Sequence, residues 1–393
     1  VIMMTMSVKV WAYFVLSLTV ISAYGSSGCI TSYHDFPEEN IDEHTGSTGS
    51  IFEIELNPNG TMLATHANQK ITIRNATTYK LLHQPPSNLG IGEGIAWSPD
   101  GKLFASVSES KKIIIWNTSD WTNITTLDGY SGDSSSILLD LAWSPNGTYL
   151  ASCARGRGSG VQIWNVHDWS LYKTISQSLS LSHYLHGLDW NPKYNLLAVN
   201  QHTKIGVWDT TNWNKVISLD PHSDWIMDVK WSPDGNFLAS GSGNATVKIW
   251  KTFTWEQIAE LDEPSDWIQA LAWSHDGKKL AAGSSPAHNY VIDPSSFDPI
   301  HVWNTENWKE IRVINGGYSV NALIWDTDDT HLITGCDDGK IRVWDMKKNY
   351  GYNFSFVEVI AIDVLLISVI IGLAVHFRRK SKEGKIGPTP RKK

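Results

Sequence analysis

One phrase recurs along this chain, and it limits the folds available more than any other feature. It reads Ala96-Trp97-Ser98-Pro99-Asp100-Gly101, returns from Ala142 to Gly147 with Asn in place of Asp, and returns again from Lys230 to Gly235. Looser copies stand at Asp189-Trp190-Asn191-Pro192, from Ala272 to Gly277 and at Ile324-Trp325-Asp326. A first copy, Leu56-Asn57-Pro58-Asn59-Gly60, carries Leu for Trp and brings the number to seven. Each is an apolar strand stopped by a tight turn, usually Pro-led and closed by Gly, so the chain predicts seven equivalent structural units.

After each phrase comes a second apolar stretch, such as Leu238-Ala239-Ser240, and then a third ending in Trp116, Trp164, Trp208, Trp250, Trp303 or Trp344, with Arg74 in the first unit. Five residues further on stand Trp121, Trp169, Trp213, Trp255 and Trp308, with Tyr79 in unit one, each expected to open a fourth strand. These three sets account for 17 of the 20 tryptophans, leaving Trp11, Trp225 and Trp267. Trp11 lies in an apolar N-terminal segment, so two tryptophans call for a separate reason. A unit of four short strands buries both its faces only when neighbours stack on it, which predicts an all-β, seven-bladed propeller over residues 34–349.

On these motifs the chain resembles the WD-repeat β-propeller family, most clearly from His222 to Lys251 and from Asp337 to Asp345, where Trp344-Asp345 is the eponymous dipeptide. The resemblance covers roughly 300 residues. It implies turns like Ser-Pro-Asp-Gly on a bottom face and the second-to-third and fourth-to-first strand loops on top. The family's Gly-His survives only as Pro221-His222 and its turn Asp as Asn244 and Asp338, so its buried polar network is expected to be incomplete in most blades. The seventh unit has only three strands, and residues 34–44 are expected to supply its fourth and close the ring.

The two ends suggest an address. Lys9, the apolar run from Val10 to Tyr24 and Ala23-Tyr24-Gly25 read as a signal peptide over residues 1–28. Cys29 follows a sequence similar to a lipoprotein box that lacks the large aliphatic residue three places before it. Residues 359–377 are apolar except for Asp363 and reach about 28 Å as a helix, a length that spans a bilayer. A linker, 350–358, precedes this expected transmembrane helix. The tail, 378–393, holds eight Lys/Arg and one Glu, which predicts a cytoplasmic C-terminus and an extracytoplasmic propeller on a single-pass membrane protein. Asp363 either snorkels or meets a cation on a partner transmembrane helix, with Ser368 and Gly372 as small residues four apart.

Taking the tail (+7) and Lys9 (+1) out of the formal charge of −8 leaves −16 on residues 10–377. An acidic domain repels phosphate backbones, which argues against a nucleic-acid partner. Seven triplets, at Asn59, Asn75, Asn117, Asn123, Asn146, Asn244 and Asn353, spell either glycosylation sites or plain turn chemistry. Cys153 and Cys336 are expected to be free, buried thiols.

No nucleophile elbow, phosphate loop, His-Glu-x-x-His pair or spaced Cys pairs occur in the sequence, so no catalytic residue, metal ligand or cofactor is assigned. Function is expected on the top face. Trp225 and Trp267 sit six residues before their first-strand Trp, and Tyr184 holds the same place before Trp190. They either cap the core between blades or rim the central channel as an exposed aromatic row. Arg155 and Arg157, in a Gly-rich loop, form either an anion clamp or solvated charge. An 11-residue insertion in blade six carries His288, Tyr290, Asp293 and Asp298. The innermost strands are read as mainly Ile, Leu, Val and Ala. The expected function is non-enzymatic recognition at the cell surface of a protein, peptide or glycan, or scaffolding there; the alternative is a cell-envelope enzyme or enzyme subunit with a channel-side site.

Overall fold

The computed structural model describes residues between 49 and 347, except 68–69, 87–93, 109–110, 129, 131–136, 156–159, 177–186, 263–266, 286–298 and 316–318. Within it the seven units form seven antiparallel sheets, each a simple meander. Blade 1 holds β1–β4 (Ile51–Leu56, Met62–Ala67, Lys70–Asn75, Leu81–His83) and blade 2 holds β5–β8 (Ile95–Trp97, Leu103–Val107, Ile113–Asn117, Asn123–Leu127). Blade 3 holds β9–β12 (Ile137–Trp143, Tyr149–Arg155, Gly160–Asn165, Leu171–Ser176) and blade 4 holds β13–β16 (Leu188–Trp190, Leu196–Gln201, Lys204–Asp209, Asn214–Leu219). Blade 5 holds β17–β20 (Ile226–Trp231, Phe237–Ser242, Thr246–Lys251, Gln257–Asp262) and blade 6 holds β21–β24 (Trp267–Trp273, Lys279–Ser285, Pro299–Asn304, Lys309–Asn315). Blade 7 has three described strands, β25–β27 (Val320–Trp325, His331–Cys336, Ile341–Asp345). Each first strand packs on the first strand of the next blade, and β25 returns to β1, so the ring closes around a central channel. The expected closing strand at 34–44 and the C-terminal helix at 359–377 lie outside the described residues.

The tryptophans divide the labour of assembly. Each first-strand indole N–H donates across the blade boundary to the carbonyl just before the equivalent position in the preceding blade. Trp97 reaches Glu55, Trp143 Ala96, Trp190 Ala142, Trp231 Asp189, Trp273 Lys230 and Trp325 Ala272, at 3.0–3.4 Å. The third-strand indoles bond within the blade: Trp116 to the Ser106 hydroxyl, Trp164 to Ser152 and Trp344 to Thr334.

The third set departs from expectation. Trp121, Trp169, Trp213, Trp255 and Trp308, with Tyr79, lie in the turn before the fourth strand, in left-handed backbone with φ of 56–60°. Each donates its backbone N–H to the carbonyl four residues back, as Trp121 does to Asn117 at 2.7 Å. That bond and, for the five Trp, an edge-to-face contact with the first-strand Trp of the same blade at 5.8–6.2 Å offset a conformation that costs a residue with Cβ about 1–2 kcal/mol. The recurring Trp is therefore a turn residue, and the fourth strand begins one or two positions later.

The polar network of the resembled family is complete in blade 5. His222 bonds Ser240 through Nε2 at 2.9 Å and Asn244 and Thr246 through Nδ1 at 3.1 Å, and Trp250 also reaches Ser240. In blade 3 the Tyr130 hydroxyl takes the histidine's part, 2.8 Å from the Ser152 carbonyl. Burial pushes the His222 imidazole down to about 4, so it sits neutral in this network at neutral pH. Cys153 and Cys336 are free and buried.

Removing one cross-blade donor while keeping the ring should isolate its contribution. In Trp143→Phe the Ala96 carbonyl loses its partner in a buried setting, and the expected loss is about 1–3 kcal/mol in urea unfolding. An unchanged urea midpoint would show that these bonds carry no stability.

Candidate functional site

Two surfaces qualify, the channel wall and its upper mouth. The channel is not the aliphatic lining expected from the sequence. At one and three residues before the first-strand Trp, the innermost strands place Glu53, Glu55, Asp140, Asp189, Asp228 and Lys230. The inner edge of each sheet exposes backbone N–H groups with no further strand to pair, and the carboxylates of one blade accept those of the next. Glu53 accepts from Ile95 at 2.7 Å, Glu55 from Trp97 at 2.8 Å, Asp140 from Leu188 at 2.8 Å, Asp189 from Trp231 at 2.7 Å and Asp228 from Leu271 at 2.8 Å. Sequence inspection missed this set because apolar neighbours alternate with it; the signal was its fixed offset from the Trp.

Crowding and burial raise these acids. Desolvation pushes Glu55 up to about 8, Asp140 to about 7 and Asp189 to about 6, and raises Glu53 and Asp228 as well. Lys230 is raised chiefly by Asp228, 3.8 Å away, and remains charged. Its side chain is 40% exposed to the channel, so water tempers the shifts.

At the upper mouth the structure brings together two of the residues picked from sequence. Trp225, just before β17, and Trp267, opening β21, are half-buried, with ring centroids 6.0 Å apart and planes tilted by 49°. His202, in the β14–β15 turn, extends the row at 5.7 Å from Trp225. Tyr184 and Arg157 lie outside the described residues, as does the blade-six insertion with its His288, Tyr290, Asp293 and Asp298; Arg155 ends β10, its backbone paired with Ile137.

Six of the seven Asn triplets are described, and all six asparagine side chains take part in local hydrogen bonds, for example accepting from Thr61 at Asn59 and from Thr148 at Asn146, which fits turn chemistry with or without an attached glycan. Asn353, Cys29 and Asp363 lie outside the described residues. Asp326, Asp328 and His331 bring metal-type ligand atoms within 4.8 Å of one another. Those atoms already serve the turn: Asp326 accepts from the Thr330 and His331 backbones and pairs with the His331 ring at 2.7 Å.

Five segments, 91–117, 121–165, 213–251, 255–287 and 308–345, match the family model described as WD domain, G-beta repeat. In these segments the ring matches WD repeats. Three of the segments start at the Trp before a fourth strand and end on the third strand of the following blade, so one WD repeat interlocks two neighbours. Among curated relatives, Protein HIR1 of Cryptococcus neoformans var. neoformans serotype D is 28% identical over 52% of this chain and 26% of its own length. Protein HIRA homolog of Drosophila melanogaster is 28% identical over 41% of this chain and 17% of its length. A probable cytosolic Fe-S cluster assembly factor of Schizosaccharomyces japonicus is 25% identical over 77% of this chain and 53% of its length. The chain thus spans about a quarter of the HIR1 protein it matches.

These relatives, one of them described as cytosolic, overturn the expected placement of the propeller outside a membrane. No helix among the described residues is long and apolar enough to cross one. The expectation rested on the apolar runs at 1–28 and 359–377 and on the basic tail at 378–393, all outside the described residues. Hydropathy is the same for a segment that meets lipid and for one that meets protein, so an apolar run alone does not fix an address.

The channel acids carry a pH signature. An acid raised on folding is harder to ionise in the ring than in the unfolded chain, so stability falls as pH rises towards its folded value. Glu55 and Asp140 should therefore make the ring more stable at pH 6.5 than at pH 8.5, by about 1–3 °C in thermal midpoint. His222 stays neutral across that window. Glu55→Gln keeps an acceptor for the Trp97 N–H without the charge, and should raise the midpoint at pH 8.5 and flatten the pH dependence. A midpoint that climbs from pH 6.5 to 8.5 would contradict this.

Proposed function

We propose that this WD-repeat propeller is a non-enzymatic scaffold for protein interactions, and that it holds a protein or peptide at its top face through Trp225 and Trp267. The observation that carries the reading is the pairing of two half-buried indoles from neighbouring blades, continued by His202. Both stand outside the three structural Trp sets, so blade construction does not require them. Flat aromatic surface held on rigid strands binds with little loss of side-chain entropy, which is why such residues dominate interface energetics. Tyr184, Arg155 and Arg157, chosen from the sequence alone, are proposed as further contacts of the same ligand. The earlier alternatives of a glycan ligand and a membrane address are set aside with the extracytoplasmic placement.

The enzyme reading has one observation behind it, the raised carboxylates of the channel. Each of them accepts a backbone N–H of the next blade, and that structural use accounts for its position without a reaction.

A peptide array probed with the full chain tests the proposal. Peptides captured by the wild type should bind at least about tenfold more weakly to Trp225→Ala/Trp267→Ala, with the thermal midpoint nearly unchanged. Equal binding by the double variant would remove the site.

A further inference from the structure

The repeat has a rule for the turn between third and fourth strands, and one blade breaks it. Asn75, Asn117, Asn165, Asp209, Asn304 and Asp345 end their third strands, and each side-chain oxygen accepts the backbone N–H two residues on, at 2.8–3.0 Å. This is the work of the Asp in Trp344-Asp345. In blade 5 the position is Lys251, which has no acceptor to offer. Two residues on, where the other turns carry Thr77, Ser119, His167, Thr211, Glu306 and Lys347, stands Phe253 with φ of 70°. Blade 5 is the one described blade whose turn holds a second left-handed side chain besides the recurring aromatic residue. Phe253 is also 62% exposed, the most of any large hydrophobic side chain among the described residues.

The neighbouring turn of blade 4 breaks its own rule at the same place. Asn191-Pro192-Lys193-Tyr194 puts Lys where Asp100, Asn146, Asp234 and Asp276 stand, and Tyr where Gly101, Gly147, Gly235 and Gly277 stand. The Tyr194 ring meets the Phe253 ring edge-on at 4.8 Å, and its hydroxyl reaches Asn236 at 3.4 Å. Lys193 lies over the Tyr194 ring at 5.3 Å. Asp234, the nearby acid, is already held by Ser232 at 2.6 Å and by the Asn236 side chain at 2.6 Å.

From these departures we propose a second docking surface, on the bottom face where blades 4 and 5 meet, that takes an acidic, apolar-bearing segment of a partner protein. Phe253 is its knob, Tyr194 the floor beside it, and Lys193 and Lys251 its charge. Left-handed backbone at a bulky residue costs about 1–2 kcal/mol, and the edge-on contact with Tyr194 offsets only part of it while most of the Phe253 ring stays exposed. Strain of this kind persists where binding uses it. Charge sets the partner's sign: Asp100, Asp276 and Asp328 at bottom turns of other blades repel an acidic segment, whereas both departures here place lysine.

The probe is a fluorescent 12-residue peptide alternating Glu with Leu and one Trp, measured by anisotropy against the full chain beside its Lys-for-Glu counterpart. The acidic peptide should bind at least about tenfold tighter than the basic one. Phe253→Asn relieves the backbone, since Asn tolerates this conformation; it should match or exceed the wild-type thermal midpoint yet lose at least about tenfold in affinity. Lys193→Glu should weaken binding, more so at low salt, and Trp225→Ala/Trp267→Ala should leave it unchanged, which separates this surface from the top face. Three results would each overturn the proposal: no binding of the acidic peptide, equal binding of the basic one, or wild-type affinity in Phe253→Asn.

Discussion

Everything in this ring depends on satisfying the inner edge of seven sheets that have no eighth neighbour to pair with. A β-edge facing a narrow channel leaves backbone N–H and C=O groups unbonded at a cost of about 1–3 kcal/mol apiece. The chain answers with side chains sent across the boundaries, an indole N–H to a carbonyl at six of the seven and a carboxylate to an N–H at four. Both come from the same few positions on the first strand, so the residues that stitch the blades also decide what lines the channel. Its acidity is a consequence of assembly before it is anything else.

The stitching is uneven. Between blades 7 and 1 the indole position is Leu56, and the carboxylate positions are Ala322 and Ile324. At that boundary the Asn321 side chain donates to the Ile51 carbonyl at 3.1 Å and, within blade 7, to Asp337 at 2.6 Å, the Ser50 hydroxyl donates to the Asp337 carbonyl at 3.5 Å, and Gly335 leaves room for Ile51 and Ile54 as Gly241 and Gly283 do for Ile268 and Val320 at the two boundaries before it. The first and last blades meet there, and packing with one amide bond and one hydroxyl bond takes the place of the indole bond found at the other six boundaries.

How much of this could be read from the sequence follows from what leaves a periodic trace. Seven recurrences of a Trp-led turn specify seven sheets because each Trp must find the same partner in each unit, and the structure returns 27 described strands in that order. The third Trp set was placed in strands because apolar periodicity does not encode a left-handed φ. The channel acids were hidden by alternation with Ile and Leu, since composition averages over the two faces of a strand. Trp225 and Trp267 were legible as outliers, whereas their mutual contact and the addition of His202 required the radial geometry of the ring. The address failed for a different reason: hydropathy at the ends measures what a segment avoids, not what it meets.

Departures from the repeat therefore fall into two kinds, and the difference separates structure from use. Some are matched by a second departure that restores the bonding. His275 replaces the proline of its turn and so presents an N–H; in the next blade Asp329 replaces glycine in left-handed backbone and accepts that N–H at 2.7 Å, the His275 ring at 2.9 Å and the Asp276 N–H at 2.8 Å. Tyr130 standing in for histidine at Ser152 is another such match. Others add ring contacts in place of hydrogen bonds. Trp225 and Trp267 stand outside the repeating indole sets and meet each other, and Phe253 combines left-handed backbone and exposure with an edge-on contact to Tyr194. In a fold whose local rules agree so closely from blade to blade, positions of this second kind are the ones on which both proposed docking surfaces rest.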